Sequence, residues 1–264
     1  MALTVAYRDD VHGARRVTGV SCVTLRPRQG RGRGLAGLVA AAGGRTLNVR
    51  RRPASPGGPV SCCQCEGLER QFGRDAAERD LRRFRKRGPT GTTRQLVDDL
   101  RAAGVSGASL LDIGGGVGAI HHLLLDAGAR DAMHVDVSSD YLASARTEAE
   151  RRGHAAHVRF VHGDFVDLAA ELPLADIVTL DRVICCYPDM PRLVTLSAGK
   201  SRRLYGAVYP RESWWVRAAL AVVNRLMALR KCPFRVYLHP PAAIDATIRG
   251  CGLRRIAFSG LPRP

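Results

Sequence analysis

Lysine is nearly absent from this sequence. Lys86, Lys200 and Lys231 are the only three among 41 basic residues, so arginine carries almost all of the positive charge. With 24 acidic residues the formal net charge is +17. Such an excess can mark a nucleic-acid binder, but heavy Arg, Ala and Gly use also follows from GC-rich coding, which weakens that reading. Long apolar runs are missing as well. The best candidate, Trp214 to Leu229, is broken by Arg217, Asn224 and Arg225, which excludes a bilayer-spanning helix. The eight cysteines, at 22, 62, 63, 65, 185, 186, 232 and 251, give one C-x-x-C spacing, Cys62 with Cys65, but no second such pair and no spaced histidine partners complete a ligand set. A bound metal is therefore not expected, and the adjacent pairs do not form a secreted disulfide framework. Reduced thiols and a cytoplasmic location are expected. The run Leu35–Gly44 lies too far from the start for a usual secretory leader.

At 264 residues and 45% apolar content, the chain suits one large domain with appendages. The charge is uneven: residues 1–60 hold 11 Arg against two Asp. This stretch has no sustained periodicity and contains the linker-like RPRQGRGRG and RRPASPGGP. Residues 1–59 are expected to be a disordered arm, or sequence ahead of the true start if Val60 is a GTG-encoded initiator. Residues 60–104 are expected to form a helical cap. Ala77, Leu81 and Phe84 make one helical stripe over 74–86, Gly88-Pro89 ends it, and Thr92 is the expected cap of the next helix.

From Ser109 onward strands alternate with helices. Expected strands are 109–113, 132–137, 157–163, 175–181, 202–210 and 253–259. Expected helices are 117–127, 139–152, 212–230 and 240–251. This alternation means a parallel sheet in an α/β domain over 105–264, with the apolar helix as an insertion at 211–231. That helix is apolar nearly all round, so it is expected to be buried or to cover something.

The strongest motif is LLDIGGGVG, Leu110 to Gly118. A strand feeds a Gly-rich turn that opens a helix, which lets a ligand approach the backbone closely. Ligands of open α/β sheets lie outside the carboxyl ends of the strands. Asp136 ends the second strand, 20 residues after Gly116, where a carboxylate can take both hydroxyls of a ribose. The string also fits the dinucleotide pattern G-x-G-x-x-G/A. Two features favour another nucleoside: Asp112 ahead of the turn can meet a cationic amine, and Asp164 with Phe165 after the third strand can receive an adenine.

Here the sequence resembles the class I S-adenosylmethionine-dependent methyltransferases, over residues about 90 to 260. The resemblance rests on Asp112, Gly114, Gly116, Gly118, Asp136, Asp164 and Asp181. It implies a Rossmann-like doubly wound, mainly parallel sheet with S-adenosylmethionine across its strand ends. Asp112 and the glycines would face the methionine part, Asp136 the ribose, Asp164 and Phe165 the adenine, and Asp181 the transferred methyl. The segments DRVICCYPD (Asp181–Asp189) and SWWVRAALAVVNRL…FRVYLHPP also resemble the magnesium-protoporphyrin O-methyltransferase branch. That branch has a His directly before the Tyr-Pro pair, where this chain has Cys186. Tyr187 is then a candidate acid/base or positioning group, or an aromatic wall.

The expected activity is methylation of a small molecule, with oxygen of an anionic, porphyrin-like or aromatic carboxylate as acceptor. A carboxylate acceptor is already ionised near neutral pH and needs no base. Alternatives are a truncated non-catalytic relative, a nicotinamide oxidoreductase, or a nucleic-acid methyltransferase. The last is disfavoured because Asp181-Arg182-Val183-Ile184 replaces the Asp-Pro-Pro-aromatic pattern of amino-methylating enzymes. His121, His122 and His239 are expected to serve packing or helix entry. The family's sheet ends in an antiparallel hairpin, and only one strand follows the last helix here. Strand seven is therefore expected to be missing.

Overall fold

The computed structural model describes residues 1–8 and 63–260, with side chains from 67 to 257 in the second stretch. Seven strands form one sheet in the order β4-β3-β2-β5-β6-β1-β7. The parallel part comprises β2 (Ser109–Ile113), β3 (Asp131–Asp136), β4 (Val158–His162), β5 (Ala175–Asp181) and β6 (Ser201–Tyr209). Its helices are α3 (Gly91–Ala102), α4 (Ala119–Asp126), α5 (Ser139–Arg152), the short α6 (Phe165–Leu168), α7 (Met190–Lys200) and α9 (Pro241–Gly250). The doubly wound sheet is thus as the alternation of strands and helices implied.

The seventh strand is present, which corrects the expectation that it is missing. β1 (Ala2–Arg8) lies between β6 and β7 (Leu253–Gly260), antiparallel to both. The expectation considered only residues after the last helix. A slot between two strands asks for backbone pairing on both edges and burial on both faces, and any part of the chain can supply that. ALTVAYR does so. Leu3 and Val5 enter the core on the α3 and α4 side, while Ala2 and Ala6 enter the core on the α7 and α9 side. Arg8 ties the strand end to three carbonyls, donating to Ser201, Cys251 and Ala198 at 3.1, 2.9 and 3.1 Å. Residues 2–8 of the expected disordered arm are therefore a central strand. Residues 9–59 lie outside the described residues.

A helical layer, α1 (Cys63–Gln71) and α2 (Arg74–Arg87), precedes the sheet helices. Ala77, Leu81 and Phe84 form the expected stripe and pack on Val117 and Tyr141. Arg85, Arg151 and Arg152 converge on the fully buried Glu148, joining α2 to α5. Thr90, not Thr92, sits at the start of α3, and Thr92 is buried inside it.

The apolar helix α8 (Trp214–Leu229) meets the second half of its expectation, since it covers and is not itself buried. None of its residues is buried. Its inner row does cover something: Leu220 borders the main cavity. Asn224 clamps the returning chain through paired hydrogen bonds with Val236, at 2.8 and 2.9 Å. Among the described residues no helix is long and apolar enough to cross a membrane, and no group of three or more His, Cys, Asp or Glu is placed to hold a metal ion.

Candidate functional site

A cavity of about 520 Å³ opens at the carboxyl ends of β2, β3 and β5. That volume is ordinary for a small-molecule site. Its floor is the glycine turn. Gly114, Gly116 and Gly118 have φ of 60°, 58° and 83°, values that L side chains rarely adopt. A Cβ on Gly114 would lie 2.5 Å from Val183, and one on Gly118 would lie 2.5 Å from the His121 ring. The turn is therefore bare backbone by necessity on both sides. Gly114 and Gly116 border the cavity, whereas Gly118 lies behind it and opens α4.

Asp136 stands beside the turn. Its two oxygens accept from the backbone N–H of Gly116 at 3.1 Å and of Ser138 at 2.9 Å. A carboxylate offers about four acceptor positions, so these bonds orient the group and leave capacity on the cavity side. Asp164 caps α6 by accepting from Val166 N–H at 2.8 Å and also accepts from the Tyr187 hydroxyl at 3.2 Å. Burial raises its pKa. Phe165 packs beside it, 4% exposed, and borders the cavity.

Asp181 ends β5 and accepts from Thr93 at 2.6 Å and from Arg182 at 3.2 Å. Arg182 has φ 61°, held there by its N–H bond to the Val208 carbonyl at 2.8 Å. A non-glycine residue in that region is strained, and such strain clusters at functional sites. Burial, then the neighbouring Asp164, raises the pKa of Tyr187, so its phenol keeps its proton. Cys185 and Cys186 border the same cavity with sulfurs 3.9 Å apart. The contact between them lowers the pKa of the first thiol, and that contact with burial raises the second.

Asp112 departs from its expected place. It is fully buried under the turn and does not border the cavity. One oxygen meets His121 Nδ1 at 3.0 Å and the other accepts from Thr179 at 2.7 Å. Burial alone would raise its pKa, but the His121 bond and neighbouring charge lower it overall. Here it braces the turn from behind. His121, His122 and His134 beside it are fully buried, which matches the packing role expected for the first two.

Sequence reasoning missed several wall residues. Asp80 and Arg83 on α2 border the cavity. They flank the apolar stripe by one position, which is the signal that was there to find. Tyr141 stacks edge-on to Phe72 and donates to Asp80 at 2.6 Å. Met1 also borders the cavity, carried there by β1.

Residues 110–198 match a family model described as a methyltransferase domain. Over that stretch, about a third of its length, the chain is similar to methyltransferase domains. Among solved structures it is similar to magnesium protoporphyrin IX methyltransferase (ChlM) from Synechocystis PCC 6803 with bound SAH, at 20% identity and TM-score 0.57. That match covers 72% of this chain and 89% of the other. The same protein with bound SAM gives 18% identity and TM-score 0.50, covering 74% and 88%. An O-methyltransferase family protein from Burkholderia thailandensis gives 18% identity and TM-score 0.54, covering 70% and 57%. At these identities the structural likeness establishes the fold. No curated protein matches the chain. The matched span includes the glycine turn, Asp136, Asp164 and Asp181, and ends within α7.

Proposed function

We propose that this chain is an S-adenosylmethionine-dependent methyltransferase that methylates an oxygen of a small anionic molecule, a porphyrin-like or aromatic carboxylate. One observation carries the reading: a single cavity gathers Gly114, Gly116, Asp136, Asp164 and Phe165 with Arg182 and Tyr187. The residues fit the cofactor. Backbone at Gly114 and Gly116 leaves room that a Cβ would fill, Asp136 would hold the ribose hydroxyls, and Asp164 with Phe165 would receive the adenine. Four carboxylates, Asp80, Asp136, Asp164 and Asp181, border the cavity against two guanidinium groups, Arg83 and Arg182. That balance favours a cationic cofactor. Bound there, the cofactor supplies a methyl group already activated on a sulfonium.

The chain's own residues then position the acceptor and exclude water. Arg83 and Arg182 are the cations that an acceptor carboxylate would meet. No base is required for such an acceptor, because it is already ionised. The raised pKa of Tyr187 agrees with this division: its O–H donates and orients, and it is poorly suited to remove a proton. The apolar wall, Phe72, Phe84, Phe234 and Leu220, suits a large flat acceptor, and the Synechocystis protein takes magnesium protoporphyrin IX. Cys186 stands where that branch has His, so no imidazole assists here. The truncated, non-catalytic reading rested on a missing strand, and β1 removes that ground.

The test is transfer of labelled methyl from S-adenosylmethionine to a panel of porphyrin and aromatic carboxylates and to amine controls. The expected product is a base-labile ester, with KM raised and kcat nearly kept in Arg182→Gln. Methylation confined to amines, or an Arg182→Gln enzyme with unchanged KM, contradicts the acceptor assignment.

A further inference from the structure

Among the described residues the outer face of α8 has no partner. Trp214 is 82% exposed, Trp215 61%, Val222 60%, Leu226 49% and Leu229 69%. At 3.6 residues per turn, Trp215, Val222, Leu226 and Leu229 fall on one side of the helix, with Trp214 at its entry. The opposite row, Val216, Leu220, Asn224 and Met227, faces the body and is half-buried. Such a contiguous exposed apolar face marks an interaction surface.

Charge decides among its occupants. Exposed Arg217, Arg225, Arg230 and Lys231 lie along the same helix and its end. Within residues 205–240 the one acidic residue, Glu212, is already paired with Arg217. A second copy of the chain would set this row of cations against an identical row. Residues 9–62 hold ten arginines against two aspartates, so that segment carries the same sign of charge and offers no complement. Only an anionic, apolar surface complements both features.

We infer that α8 docks the protein on an anionic lipid surface, lying in the interface with its outer face toward the acyl chains. Tryptophan prefers the headgroup level, and arginine side chains reach back to phosphate while their stems stay apolar. The helix has 16 residues, about 24 Å of length, and charges along it, so it lies on a bilayer and does not span it. Because Leu220 on the inner row borders the cavity, the docked helix places the cavity next to the lipid surface. The docking inference stands on α8 alone and does not depend on the methyltransferase reading.

The chain carries its own reporter, since its only two tryptophans are Trp214 and Trp215. The experiment titrates the full chain, without cofactor, with vesicles of phosphatidylcholine alone or phosphatidylcholine mixed with phosphatidylglycerol. Tryptophan emission and vesicle flotation are the two readouts. Expected are a blue shift and co-flotation with the anionic vesicles, weakened by added salt. The double variant Val222→Glu with Leu226→Glu should lower partitioning at least about tenfold. These positions are exposed, so its thermal midpoint should stay near the parent's. No shift with anionic vesicles from the folded chain overturns the inference. Equal partitioning to neutral vesicles overturns the anionic assignment. A blue shift that grows with protein concentration in the absence of lipid overturns it in favour of a second copy.

Discussion

Replacing Leu3 with Ala tests whether the first strand closes the sheet. Leu3 is 1% exposed and sits opposite Val208 on β6 and Ser259 on β7. Its side chain belongs to the core cluster that includes Leu96, Leu100 and Leu204. The substitution removes three carbons, about 2.4 kcal/mol at ~0.8 kcal/mol per buried methylene. A residual cavity adds to this, because paired backbone on both edges limits collapse, and the total comes to about 3 kcal/mol. With a urea dependence of about 2–3 kcal/mol/M, the unfolding midpoint should fall by about 1 M. Circular dichroism in urea reads this directly. Leu174→Ala is the control, since Leu174 is 47% exposed and should change stability by less than about 0.5 kcal/mol. If Leu3→Ala unfolds at the same urea concentration as the control, β1 does not occupy the slot and the account of the sheet is wrong.

Three further outcomes follow from the polar interior. Glu148 is buried, which favours its neutral form, but hydrogen bonds from Arg151, Arg152 and Arg85 lower its pKa overall. Its ionised form therefore stabilises the fold above its unfolded pKa, and that stability is lost as pH falls through the depressed value. At neutral pH, Glu148→Gln should cost about 2 kcal/mol, with the exposed arginines discounted, and that cost should vanish in acid. Burial lowers the His122 pKa to about 2, so the unfolded chain binds a proton there that the folded chain refuses. Stability should fall as pH drops below about 6.5, by up to about 1.4 kcal/mol per unit from this residue. His122→Gln should flatten the pH–stability profile between that pH and the acid limit; an unchanged slope counts against a neutral buried ring. Tyr187→Phe removes the donor to Asp164 and should weaken S-adenosylhomocysteine binding only a few-fold, as a neutral positioning contact would. A loss of a hundredfold or more in binding would instead mean that Tyr187 contacts the cofactor directly.

Most of the sheet could be read in the sequence because local signals agreed with the fold there. SLLDI and ADIVTLD are continuous buried strands between turn signals, and their bounds match. Ser138 and Gly153 cap α5 at the expected ends. Three things were not legible. The strand ALTVAYR is long-range in sequence from both partners, and pairing over two hundred residues leaves no local mark. The burial of Asp112 beneath the turn had no signal, since its partners are His121, nine residues on, and Thr179 on a neighbouring strand. Periodicity identified α8 as a helix but could not say that its apolar outer face would be left exposed among the described residues. The glycine turn, Asp136, Asp164 with Phe165, and Asp181 were legible because their roles depend on strand ends, which the pattern fixes. Asp80, Arg83 and Tyr141 depend on how the helical layer leans on the sheet.

Calorimetric titration with S-adenosylhomocysteine decides whether this cavity binds the methyl-donor cofactor. The account predicts binding near micromolar for the parent chain and binding weakened at least about tenfold in Asp136→Ala, since a lost pair of charge-assisted hydrogen bonds exceeds about 1.4 kcal/mol. A folded chain that takes up no S-adenosylhomocysteine, or an Asp136→Ala variant that binds it as tightly as the parent, contradicts the account.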